Sequence, residues 1–132
     1  MSKECTYGFG KIVALPFDDT VARVTELLKQ HGFHILSRID LQNTLQTCLG
    51  IDFRQYRILG ACKSEFAYQA FSADQNIGLL LPCNVIVYET DEGQVRVMAM
   101  DPLHVMELIN HPEAIEVTMA LKKELEAVME EI

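Results

Sequence analysis

The stretch NVIVYETDEGQVRVMAM, residues 84–100, decides the fold. Two β-rich runs, 84–90 and 94–100, flank Asp91, Glu92 and Gly93, residues that favour a tight turn, so the segment reads as a β-hairpin. In the second run Val95, Val97 and Ala99 alternate with Arg96, Met98 and Met100, which sends the first set to a core and the second to the opposite face. An antiparallel pair therefore forms the centre from which the rest of the chain is read.

On the N-terminal side, residues 7–15 alternate Tyr7, Phe9, Val13 and Leu15 with Gly8, Gly10, Ile12 and Ala14, as a strand requires, with Lys11 interrupting the first face. Pro16 ends that strand. Val21, Val24, Leu27 and Leu28 then recur at helical spacing before Gly32, with Asp18 or Asp19 as the expected acceptor for the first free amides. Residues 33–39 read as a second strand and 41–49 as a short helix closed by Gly50, with Leu41, Leu45 and Cys48 on one packing face. A third strand is expected over 52–62. Residues 64–73 form a helix that buries Phe66, Ala67, Ala70 and Phe71, and 77–81 a short, wholly apolar strand.

On the C-terminal side, Asp101-Pro102 ends the hairpin and a short helical turn follows from Leu103. His111-Pro112-Glu113 is expected to open the last helix, where a proline costs least. Val117, Leu121, Leu125, Val128 and Ile132 make its apolar stripe. No repeat, linker or compositional break divides residues 1–132, so one domain is expected.

A chain of 132 residues with 49% apolar and 23% charged residues can bury a core without disulfides and is not a disordered one. Its 11 basic and 19 acidic residues give a net charge of −8. That balance opposes binding to nucleic acid or to an anionic membrane surface. Eight of the acids but only two of the bases lie in residues 101–132. In the more neutral part, Arg38, Arg54, Arg57 and Lys63 outnumber Asp40 and Asp52, which reads as a solvated strand face, with a modest positive field as the alternative. The first ten residues resemble no secretory signal and no apolar run is long enough to span a bilayer, which places the protein in the cytoplasm with free thiols at Cys5, Cys48, Cys62 and Cys83.

Candidate chemistry is sparse. Gly8-x-Gly10 lies within a strand and lacks a third glycine, so it does not cradle a pyrophosphate. His31, His34, His104 and His111 match no zinc spacing. Met98, Met100, His104 and Met106 have the donor types of a copper site but also the spacing of ordinary packing, which methionine serves well. Glu89, Asp91, Glu92 and Asp101 read as turn and surface acids. Cys62 is the strongest candidate: Gly60-Ala61-Cys62-Lys63-Ser64 crosses from strand to helix N-terminus, where helix amides and Lys63 favour a thiolate. Cys83 lies at a second junction beside Pro82; the sequence leaves open whether the two thiols meet, and the pair reads first as two small buried side chains that pack without chemistry and second as a functional site.

Three segments carry a resemblance: Tyr56-Arg57-Ile58-Leu59-Gly60-Ala61-Cys62, then Ala67-Tyr68, then Ile77-Gly78-Leu79-Leu80-Leu81-Pro82-Cys83-Asn84-Val85. Together with Val87-Tyr88-Glu89 and Asp101-Pro102 they resemble the family named domain of unknown function 302, over nearly the whole chain. The resemblance implies an α+β fold, an antiparallel sheet with helices packed on one face in a TATA-box-binding-protein-like topology, and a homodimer. It implies no established activity and leaves any cofactor unknown. The family's cysteine segments fall on Cys62 and Cys83, whereas Cys5 and Cys48 inherit nothing. A shared fold does not transfer DNA bending, since function resides in sites.

The leading expectation is a binding module for a small molecule or a soft metal ion, with a pocket formed by Cys62, Cys83, Lys63 and Arg57. One alternative is a thiol redox protein in which Cys62 attacks as the thiolate and Cys83 resolves the product. Another is a dimeric interaction domain that uses a sheet face or the tail helix and performs no chemistry.

Overall fold

The computed structural model describes residues 5–109 and 115–132. Five strands, β1 (Gly8–Val13), β2 (His34–Asp40), β3 (Tyr56–Cys62), β4 (Cys83–Glu89) and β5 (Val95–Met100), form one antiparallel sheet in the order β1-β5-β4-β3-β2. Among the described residues five α-helices accompany it: α1 (Phe17–Gln30), α2 (Leu41–Leu49), α3 (Ser64–Ala73), α4 (Pro102–Ile109) and α5 (Ile115–Glu131). The fold is α+β.

The hairpin is the middle of the sheet. Thr90 N–H donates to the Gln94 carbonyl (2.7 Å), Gly93 N–H donates back to the Thr90 carbonyl (3.0 Å), and Gly93 takes φ 79°, a left-handed conformation that suits glycine. Val95, Val97 and Ala99 of β5 lie buried beside Val85 and Val87 of β4 and Leu59 and Ala61 of β3. Onto this face pack Val24, Leu27 and Leu28 of α1 and Leu121, Leu125 and Val128 of α5. Burial of apolar surface on this scale is the main drive for folding. The other face carries Tyr56, Ile58, Ile86, Tyr88 and Met98, with the Tyr56 and Tyr88 rings stacked at 5.3 Å.

The two N-terminal glycines of β1 have a structural reason. A methyl group built at Gly10 would run into the Val97 carbonyl oxygen of the neighbouring strand. Gly50, at φ 64°, ends α2 as expected, its N–H returning to the Gln46 carbonyl.

Several expectations change. Neither Asp18 nor Asp19 caps α1: the cap position is Pro16, whose carbonyl accepts from Thr20 N–H and Thr20 Oγ1–H, both at 2.9 Å, and the two aspartates sit in the first turn. Cys48 is exposed, because α2 buries no residue completely and only its Leu41–Leu45 side approaches the sheet. β3 begins at Tyr56 and not at 52, since β4, which it pairs with, ends at Glu89. Residues 77–81 do not form a strand. Gln75–Leu80 is a 3-10 segment started by Asp74, whose carboxylate accepts from Asn76 N–H (2.9 Å) and whose carbonyl accepts from Ile77 N–H (3.2 Å). A short apolar run has no periodicity to separate the two outcomes. The expected helix start at His111-Pro112-Glu113 lies outside the described residues.

Candidate functional site

The chain leaves β3 at Cys62, enters α3 through Lys63, and returns to the sheet through the 3-10 segment and Pro82 to start β4 at Cys83. This excursion does not close onto the core. It leaves a cavity of about 300 Å³ between α3, the 3-10 segment, α4 and α5, with the ends of β3, β4 and β5 as its floor.

Its wall is mostly hydrocarbon. Phe66, Ala67, Ala70 and Ala73 come from α3, Ile77 and Leu80 from the 3-10 segment, Val105 and Met106 from α4, and Val117 and Leu121 from α5. This explains why α3 buries none of its residues completely although its sequence is apolar on one side. Ala67, Ala70 and Ala73, three residues apart, lie on one side of the helix, and their small side chains leave the space a larger residue would fill. Phe71, expected in the core, is 42% exposed.

The walls are fixed from behind. Asp101 accepts from Leu103 N–H (3.0 Å) at the start of α4 and from Lys122 Nζ (3.0 Å) on α5, so one carboxylate ties the two helices together. Asp101 reads in the sequence as a surface acid; its link to Lys122 spans 21 positions and has no local signature.

Of the four expected site residues, Cys62, Cys83 and Lys63 border this cavity, and Arg57 does not. Arg57 belongs to the sheet: its Nη1 pairs with Asp40 Oδ1 at 3.1 Å and its guanidinium lies 5.3 Å from the Phe17 ring centre. The alternative of a local positive field is dispersed in the same way, with Arg54 paired to Asp91 and Arg38 directed at Thr25.

The expected thiolate at Cys62 is reversed. Burial pushes the Cys62 thiol above its ordinary value, and Cys83 is pushed up to about 12 by burial and by the neighbouring Cys62. The second effect means that the two sulfurs are near enough for charge on one to oppose charge on the other. Cys62 precedes α3 by two positions, and the loss of water outweighs whatever the helix amides supply. Both thiols are unbridged and act as small apolar wall groups.

The four donors considered for copper are divided. Met100 and Met106 line the cavity, Met98 is buried on the far face of the sheet, and the His104 ring sits 6.5 Å from that of Tyr7. Among the described residues no group of three or more His, Cys, Asp or Glu side chains converges on a metal-sized space.

At the rim, Lys63 Nζ lies 5.6 Å from the Phe33 ring centre and 5.8 Å from that of Phe66. Beyond it Glu124 bridges two cations, with Oε1 3.9 Å from Lys63 Nζ and Oε2 2.9 Å from His31 Nδ1. His31 Nε2 meets Glu131 Oε2 at 3.1 Å. Its pKa is raised by the hydrogen bond to Glu124 first and that to Glu131 second, while the His31 contact lowers that of Glu124. Sequence reasoning missed His31, Glu124 and the three alanines. Only the alanine spacing offered a signal, because His31 and Glu124 are 93 positions apart.

The profile of the family described as domain of unknown function DUF302 matches residues 9–132. The chain belongs to the DUF302 family. A crystal structure of an uncharacterized conserved DUF302 protein from Bacillus stearothermophilus is similar to it, with a TM-score of 0.87 and 26% identity over 96% of this chain and 98% of that chain. Comparison with curated proteins gives no match. The cavity of this DUF302 domain thus lies between the two cysteine-bearing segments that first suggested the family. No helix among the described residues is long and apolar enough to cross a membrane.

Proposed function

We propose that this DUF302 domain is a binding module for a small, mainly apolar molecule held in the cavity between α3, the 3-10 segment, α4 and α5. The observation that carries the reading is the cavity itself: about 300 Å³ walled by aliphatic and aromatic side chains, with Lys63 as the charged group on its border among the described residues. That volume is at the lower end of the range for small-molecule sites, and the mixture of hydrocarbon walls with few polar groups is typical of them.

The test is titration with the neutral fluorophore 1-aminoanthracene, compared between the wild-type protein and Ala70→Phe. The reading expects saturable enhancement with one site per chain, lost when the phenyl group fills the cavity. An absence of binding by the wild type, or equal binding by the variant, contradicts it.

The redox alternative gains nothing from the geometry, because both thiols are shifted away from the thiolate. Self-association has one observation in its favour: Ile12 and Ile39, on the outer face of the two edge strands, are exposed. Sedimentation over a hundredfold concentration range tests it. Leu121, Leu125 and Val128 of α5 are buried in the core, which leaves the exposed Ile115 and Met119 of the tail helix as its apolar groups for such a contact.

A further inference from the structure

We propose that the molecule held in the cavity carries a single carboxylate on an apolar body, that Lys63 anchors this head group, and that Glu124 competes with it under the control of His31. The inference rests on the cavity reading above and names the ligand class for it.

Three observations lead there. Among the described residues Lys63 is the one Lys or Arg that lines the cavity, and its ammonium is held at the rim by the faces of Phe33 and Phe66, both of which also line the cavity. Among the described residues its nearest carboxylate oxygen, Glu124 Oε1, is 3.9 Å away, beyond hydrogen-bond range, so the ammonium still has donors to give. The other oxygen of Glu124 is held by His31 at 2.9 Å, which keeps that carboxylate from closing on Lys63. One cation with an acid just behind it matches a monoanion. A dianionic phosphate would meet Glu124 with a second uncompensated charge.

His31 sets the competition. Both its ring nitrogens face carboxylates, Glu124 and Glu131 of α5, and only the imidazolium can donate to both. The other charged groups here are Arg23 of α1, whose Nη2 donates to the Glu131 carbonyl at 2.9 Å, and Lys63 itself. When His31 loses its proton, one carboxylate loses its donor and Glu124 can turn to Lys63. Uptake of a carboxylate is therefore favoured by acid and weakens as pH rises. Cys62 and Cys83, with raised pKa values, stay neutral through that range.

Calorimetric titration with octanoate and with octan-1-ol, which share an apolar body, tests this on wild type, Lys63→Met and His31→Gln at pH 6 and pH 8.5. The wild type is expected to prefer octanoate by about tenfold at pH 6, the size of a charge-assisted contact at a partly exposed site. Lys63→Met removes that preference by weakening octanoate alone. Octanoate affinity falls toward pH 8.5 in the wild type and stays level in His31→Gln, while octan-1-ol is unaffected by pH. Equal affinity for the two probes, selectivity that survives Lys63→Met, or a pH dependence that survives His31→Gln overturns the inference. If 1-aminoanthracene still binds in that case, the cavity reading stands without it; if no probe binds, both fall.

Discussion

Asp101 shows how one side chain can shape a site it does not enter. Its carboxylate holds the first turn of α4 and reaches Lys122 on α5, so Asp101→Ala should cost about 1 kcal/mol, as loss of a helix-starting acceptor does, measured by urea denaturation. An unchanged midpoint would mean that α4 is positioned by its apolar contacts alone. Gly10 carries no nucleotide fingerprint in the sequence, and the fold gives it a different reason, close approach to the β5 backbone. Gly10→Ala should therefore destabilise by about 2 kcal/mol, in the range for forcing an added carbon into an occupied space. The cysteines make a third check. Native-state alkylation should modify exposed Cys48 well before Cys62, with Cys83 last, since the reagent needs both access and the thiolate. Early modification of Cys83 would contradict its placement in the wall.

At the scale of elements, strands and helices with unbroken periodicity were legible and the cavity-forming excursion was not. The hairpin, α1 and the α5 stripe follow from alternation or helical spacing that ends up against one core. Residues 77–81 carry no such pattern, and a hydrogen-bonded turn at Asp74 decided their form. α3 was recognised as a helix, but its apolar side was assigned to the core because spacing reports which residues share a side and not whether anything fills the space opposite. Ala70→Phe supplies that filling. It should leave unfolding free energy within about 1 kcal/mol of wild type or raise it, as cavity filling does, while abolishing 1-aminoanthracene binding. A large loss of stability would show that the space is too small to accept a side chain.

For the whole molecule, the pairing of α1 with α5 through His31 makes stability depend on pH. The folded-state pKa of His31 lies above its ordinary 6.5, so its contribution is fully present below 6.5 and is lost as pH rises through the raised value. That of Glu124 lies below its ordinary 4.5, so its contribution is present above 4.5 and is lost as pH falls through the lowered value. Thermal unfolding should accordingly show the pair at full effect between 4.5 and 6.5, with a decline on the alkaline side that His31→Gln removes. The same slope in wild type and variant would assign it elsewhere. None of this was readable in the sequence, where His31, Lys63 and Glu124 are widely separated and only the fold brings them together. Cys62 and Cys83 both border the cavity, and there the loss of water on burial opposes the thiolate that a helix start alone would favour.

The central claim is that a small apolar molecule occupies the space beside α3, and methyl-resolved NMR during titration with octan-1-ol tests it most directly. The account predicts progressive, saturable shifts for Ala70, Val105 and Leu121, with Val24 and Val87 in the opposite part of the core unmoved. Shifts spread evenly over both sets, or none in the first, would contradict it.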